Sequence, residues 1–124
     1  MPSAASSAPR ERRLTWGGRI LFGAALVLIF VLSLMPVPEG LMVFSWQDKV
    51  EHALAFLVLG LLGERARIGG MRYWSPLLLA YGALIELAQG QTAHRMADPF
   101  DWVADAVGVA MAAALVIAWR ARRG

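Results

Sequence analysis

Four apolar runs separated by short polar links leave this chain few ways to fold. They extend from Arg19 to Met35, Val50 to Gly63, Trp74 to Ala88 and Phe100 to Trp119. A helix needs about 20 apolar residues to cross a bilayer core, or about 17 at the short end. The first and last runs reach that length alone; the middle two do so only with their polar ends included. Hydrophobic residues make up 58% of the 124-residue chain and charged residues 17%. As soluble helices these runs would be apolar on nearly every face, and would need a core larger than so short a chain supplies. The expected fold is therefore an all-α membrane protein, a four-span up-and-down antiparallel helical bundle. The links, roughly Pro36 to Gln47, Glu64 to Arg72 and Gly90 to Ala97, are short enough to join neighbouring antiparallel helices.

The basic residues set the expected orientation. Ten arginines, at positions 10, 12, 13, 19, 65, 67, 72, 120, 122 and 123, fall on one side with only Glu11 and Glu64. The other side has two cations, Lys49 and Arg95, against seven acids: Glu39, Asp48, Glu51, Glu86, Asp98, Asp101 and Asp105. The positive-inside rule places both termini in the cytoplasm. The high pI is then a signal of topology, and no nucleic-acid partner is implied. Trp16, Trp74 and Trp119 fall at the expected inner boundaries, and Trp46 and Trp102 at the outer ones, where indole rings favour the headgroup layer.

Residues 1–15, rich in Ala, Ser, Pro and Arg, read as a disordered cytoplasmic tail, residues 16–120 as the membrane domain, and 121–124 as a basic tail. The N-terminal arginines and the run after them resemble a signal peptide, but no small-x-small site follows, so the first span is expected to stay uncleaved. The chain has no cysteine, which excludes disulfides and thiolate metal sites. Ser45 with Asp48, Ser75 before Pro76, and Asp98 before Pro99 read as helix starts.

The ionisable residues that intrude on the apolar runs all lie toward one end. Asp48, Lys49, Glu51 and His52 open the second run, Glu86 and Gln89 close the third, and Arg95, Asp98, Asp101 and Asp105 lead into the fourth. Charge at membrane depth is expensive and points to function. Asp48 and His52 share a face at i and i+4, with Phe56 below them. Gly82, Glu86 and Gln89 share another, and Asp98, Asp101, Asp105 and Gly108 a third. Ala104, Gly108 and Ala112 form a small-xxx-small ridge that permits close helix packing. Glu86 is the hardest of these to explain as structure, because the helix macrodipole disfavours an anion at a C-terminus. We expect it to pair with Arg95 or Lys49, or to hold a proton. Each of the others also has a structural role open to it. Asp98 suits a helix cap, Asp48 and Asp101 suit helix N-termini, Lys49 can snorkel or pair, and His52 can tie helices together.

The ordered set Asp48-Lys49-Val50-Glu51-His52, Glu86-Leu87-Ala88-Gln89, Arg95, Asp101, Asp105 and Gly108 resembles the VanZ-like family, over about residues 17–119. Two features depart from it: Asp105, where the family often has Asn, and His94, which is not part of the pattern. The resemblance implies a bacterial inner-membrane protein. The family's named member is linked to lowered susceptibility to teicoplanin, a lipid-tailed glycopeptide.

Three functions fit these residues. In the first, Asp48, Lys49, His52, Glu86, Gln89, Arg95, Asp101 and Asp105 bind or shield a cell-envelope amphiphile, such as a lipid-linked wall precursor or a lipoglycopeptide. Arg95 and Lys49 would take phosphate, and the carboxylates sugar hydroxyls or amines. In the second, Glu86 or Asp101 is the general base and His52 the acid of a lipid-headgroup enzyme, with Arg95 stabilising charge, or Asp48, His52, Glu86 and Asp101 hold a divalent ion. In the third, the cluster only locks helices together or docks a partner, including a second copy. No nucleophile motif, phosphate loop or HExxH is present, which lowers the enzyme reading. Seven acids on one side are more than a structural network needs. The midplane of each run is apolar and unbroken, which argues against transport. Binding is the favoured reading, with membrane lipids as partners and neither cofactor nor metal expected.

Overall fold

The structure is a computed structural model and describes residues 4–36, 46–92 and 98–123, with side chains from residue 9 onward. The described residues form four helices: α1 (Ala4–Leu34), α2 (Gln47–Arg65), α3 (Met71–Gln89) and α4 (Pro99–Arg123). No strand occurs among the described residues. Two helical segments, Pro9–Leu34 and Pro99–Arg123, are long and apolar enough to cross a membrane. α2 and α3, at 19 residues each, carry polar residues into the same count.

α1 runs through residues expected to form a disordered tail. Arg10, Glu11, Arg12 and Arg13 are exposed, as the lack of anything to bury there implied. A helix does not need that burial, because its backbone bonds are internal and Arg and Glu propagate it well. Pro9 lies at the sixth helical position, where it removes one backbone bond without ending the helix. The basic tail is helical too: Arg122 and Arg123 belong to the last turn of α4, where cations complement the dipole. A further correction concerns α3. It begins at Met71 with Gly70 as its cap, a turn before the Ser75–Pro76 signal. Ser75 instead donates from inside the helix to the Met71 carbonyl. Ser45, His94 and Arg95 lie outside the described residues.

The most extensive interface is between α2 and α4, and α1 and α3 pack beside them. Small residues make that approach close. A Cβ added to Gly108 would sit 2.2 Å from the Ala53 carbonyl oxygen, so the two backbones touch there. Ala104 and Ala112, one turn to either side, are buried. The small-xxx-small ridge thus does what its spacing predicted. Phe56, Leu59, Leu78, Ile85 and Ala112 fill the space between the helices. In lipid such contacts stabilise by packing, because apolar side chains gain little from leaving acyl chains.

The helix ends are fixed by polar contacts. At one end Glu64 accepts from Trp74 Nε1 (3.0 Å) and from Arg120 Nη2 (2.5 Å), which joins α2, α3 and α4. Arg19 of α1 donates to the carbonyls of Ala66 (3.0 Å) and Arg67 (3.3 Å) in the α2–α3 link. Trp74 is fully buried there, packed against α2. That corrects its expected place in the headgroup layer: its position near a helix start was legible, but not the face it occupies. Trp16, Trp46 and Trp119 are exposed.

Candidate functional site

The opposite end, where α2 and α4 begin and α1 and α3 stop, gathers the intruding ionisable residues. Asp98 caps α4 as its sequence predicted. Its Oδ1 accepts the Phe100 N–H at 2.9 Å, and Pro99 opens the helix. The cap places Asp101 in the first turn and Asp105 one turn further, both facing α2.

Lys49 projects into this face from α2. Its ammonium donates to Asp48 Oδ2 (3.1 Å), Asp98 Oδ2 (2.8 Å) and Asp101 Oδ1 (2.8 Å). An ammonium has three donors, so all are engaged. Asp98 therefore does two things at once: Oδ1 caps the helix and Oδ2 holds Lys49. The Lys49 ammonium and the Phe100 N–H hold the Asp98 carboxyl below its ordinary pKa.

One turn deeper, His52 Nδ1 meets Asp105 Oδ1 at 2.7 Å. Its Nε2 lies 3.8 Å from Asp101 Oδ2. Asp105 is completely buried, and its other oxygen, Oδ2, has no hydrogen-bond partner among the described residues. Gly82 of α3 makes room for it: a Cβ at that position would sit 2.7 Å from Asp105 Oδ2. The spacing of Gly82 and Glu86 on one helical face thus serves the cluster. Phe56 packs beneath, against Tyr81, with ring centroids 5.9 Å apart.

Glu86 enters from α3 and is 8% exposed. Its Oε2 accepts the Asp98 N–H at 2.8 Å, and its Oε1 has no partner among the described residues. Among the described residues, this carboxylate is met by a backbone N–H at the start of α4. A pairing with Lys49 is not among the described contacts, since Lys49 serves the three aspartates. The expected pairing with Arg95 lies outside the described residues. Gln89 is 2% exposed; its Nε2 donates to the Ser33 carbonyl of α1 at 2.9 Å, and its Oε1 is likewise unpartnered.

Two openings flank this layer. A cleft of about 200 Å³ between α1, α2 and α3 is lined by Ser33, Glu51, His52, Ala55, Phe56 and Gln89 among others. An apolar groove of about 470 Å³ on the far side of Glu86 is formed by Ala83, Leu87, Pro99 and Trp102 with neighbouring backbone. Trp102 Nε1 donates to the Leu79 carbonyl (2.9 Å), which holds its ring along α3.

Asp48, Lys49, His52, Glu86, Gln89, Asp101 and Asp105 thus lie in one layer. Sequence reasoning gave no role to Ser33, whose carbonyl ties α1 to the layer. Its place at the polar end of the first run was the available signal. Two triads in the layer each bring their ligand-type atoms within 4.8 Å of one another: Asp48, Asp98 and Asp101, and His52, Glu86 and Asp105.

Comparison of the chain with protein-family models, curated proteins and solved structures found no match.

Proposed function

We propose that this chain is a VanZ-like four-span membrane protein whose acidic end, at the outer leaflet, binds the head of a cell-envelope amphiphile. The single observation that carries the proposal is the set of three buried oxygens without partners among the described residues: Glu86 Oε1, Gln89 Oε1 and Asp105 Oδ2. A buried acceptor left unpaired costs about 1–3 kcal/mol. Three in one layer favour a ligand that donates to them, such as a sugar hydroxyl or an amine.

The contacts at both helix ends support an up-and-down antiparallel arrangement. Lys49 joins the starts of α2 and α4, Glu64 and Arg120 join their ends, and α1 and α3 run the other way. Large apolar side chains left outward on α1 and α4, including Ile20, Val27, Val107 and Ile117, suit lipid. The arginine-rich end would then face the cytoplasm and the acidic end the outside of a bacterial inner membrane.

The cleft is smaller than the roughly 300 Å³ or more that holds a drug-sized ligand. It would take part of a headgroup, with the rest outside the bundle. The groove beside Glu86 would take apolar chain, while the cleft on the other side, lined by His52 and Gln89, would take the polar part. With the three donors of Lys49 engaged, phosphate would fall to Arg95. Lipid-linked wall precursors and lipoglycopeptides carry such heads and tails.

One observation favours a second reading. The His52–Asp105 hydrogen bond leaves His52 Nε2 available to move a proton, as a headgroup enzyme would require.

The test is teicoplanin susceptibility in a sensitive bacterial host, at matched membrane levels. Wild type is expected to protect relative to empty vector, while Glu86→Gln and Arg95→Ala lose protection. Protection retained by both variants would overturn the proposal. Absence of protection by wild type would remove the antibiotic from it and leave wall lipids as ligands, read by native mass spectrometry of the purified protein.

A further inference from the structure

We propose that His52, Glu86 and Asp105 hold a divalent first-row cation, of the zinc or manganese class. The inference deepens the reading of this end as a site, and begins from the difference between its two triads. Asp48, Asp98 and Asp101 already surround a cation, since the Lys49 ammonium lies 2.8–3.1 Å from all three. The deeper triad has the same compactness, with one atom from each side chain within 4.8 Å of the others. No lysine or arginine reaches it among the described residues. Among the described residues, two carboxylates and one imidazole therefore share a buried volume without a lysine or arginine.

The ligand-type atoms point to more than an acidic cluster. Glu86 and Asp105 are each more than nine-tenths buried, and each has an oxygen without a partner among the described residues. Burying an unpaired carboxylate is costly, and two so close repel each other. A divalent ion would neutralise both and satisfy the unpartnered oxygens. Ligand atoms on one ion lie about 3–4 Å apart when bonds are about 2 Å long, so side-chain shifts of roughly 1 Å would close the set. The three side chains come from three helices, α2 tied to α4 by Lys49 and Asp101, and α3 tied to the start of α4 by Glu86 and the Asp98 N–H.

The donor set selects the ion. Imidazole suits zinc, iron or nickel, and carboxylates suit manganese and magnesium, so the mixture favours borderline first-row ions over magnesium. Three protein ligands leave coordination positions open. A headgroup phosphate or hydroxyl reaching the layer would complete them, and the ion would supply the positive charge that Lys49 does not.

The experiment uses the full chain, purified in detergent and stripped with chelator, and titrated calorimetrically with Zn²⁺, Mn²⁺ and Mg²⁺. Wild type is expected to take up one Zn²⁺ or Mn²⁺ per chain and to bind Mg²⁺ at least tenfold more weakly. Glu86→Gln and Asp105→Asn are each expected to weaken uptake at least tenfold, while Glu11→Gln at the opposite end leaves it unchanged. Pulsed EPR of the bound Mn²⁺ is expected to show coupling to an imidazole nitrogen, a readout that does not depend on any variant folding. Lack of stoichiometric uptake, lack of nitrogen coupling, or uptake unchanged in both carboxylate variants would each overturn the proposal. The titration contains no headgroup, so its result stands apart from the outcome of the susceptibility test.

Discussion

The two ends of this bundle solve the same problem in opposite ways. At the Glu64 end each carboxylate oxygen has its donor: Oε1 takes the buried Trp74 indole and Oε2 takes Arg120. Arg19 closes the link beside them by donating to two carbonyls. At the Lys49 end the polar groups are more numerous and more deeply buried, yet three oxygens lack partners among the described residues. A layer that only held helices together would be expected to resemble the Glu64 end. The difference separates polar groups used to fix geometry from polar groups held ready for something else.

The sharpest way to break this contrast is to remove Lys49, whose role at the acidic end is structural. Lys49→Met would leave Asp48, Asp98 and Asp101 facing one another without a cation. Breaking a partly buried ion cluster this way should destabilise the protein by about 3 kcal/mol. The loss is to be read as a lower unfolding midpoint in a detergent-denaturant titration. Little change would mean that Lys49 only snorkels.

Glu64→Leu should cost less, about 2 kcal/mol, because it leaves the buried Trp74 N–H unpaired and releases a half-exposed arginine. The same titration measures it, and an unchanged midpoint would show that the Trp74 and Arg120 contacts add nothing.

A smaller effect follows from Asp98. Its folded pKa lies below its ordinary value of 3.8. The stability it contributes is therefore present above its unfolded pKa and is lost as pH falls through the lower folded value. Acid unfolding of wild type should show a component below about pH 4 that is absent from Asp98→Asn. Identical acid profiles would show that the Lys49 contact does not persist in solution.

Much of the acidic end was legible in the sequence because its residues open or close apolar runs at helical spacing. Asp48 and His52, Glu86 and Gln89, and Asp101 and Asp105 needed only helical geometry and the small-residue ridge at Gly108 to be placed together. The choice of partners was not legible. Asp98 satisfied a capping signal, and nothing in the sequence said that its second oxygen would take Lys49 and so divert it from Glu86. Trp74 shows the same limit, since closeness to a helix start gives depth along the bundle axis but not direction around it. The helical reach of α1 into residues 4–15 was not legible for another reason: those residues offer little to bury, and an exposed helix rich in Ala and Arg needs no burial.

The most direct test of the account compares the stability of wild type with Glu86→Gln and Asp105→Asn, each beside its affinity for a lipid-linked wall precursor by native mass spectrometry. If these carboxylates serve a ligand, neutralising one removes negative charge from a buried group of acids, while the amide oxygen can keep the hydrogen bond that the partnered oxygen makes. Stability should then stay within about 1 kcal/mol of wild type or rise, while precursor binding falls at least tenfold. If both variants instead lose stability as Glu64→Leu does and bind the precursor as wild type does, the acidic end is a second structural clasp and the account is wrong.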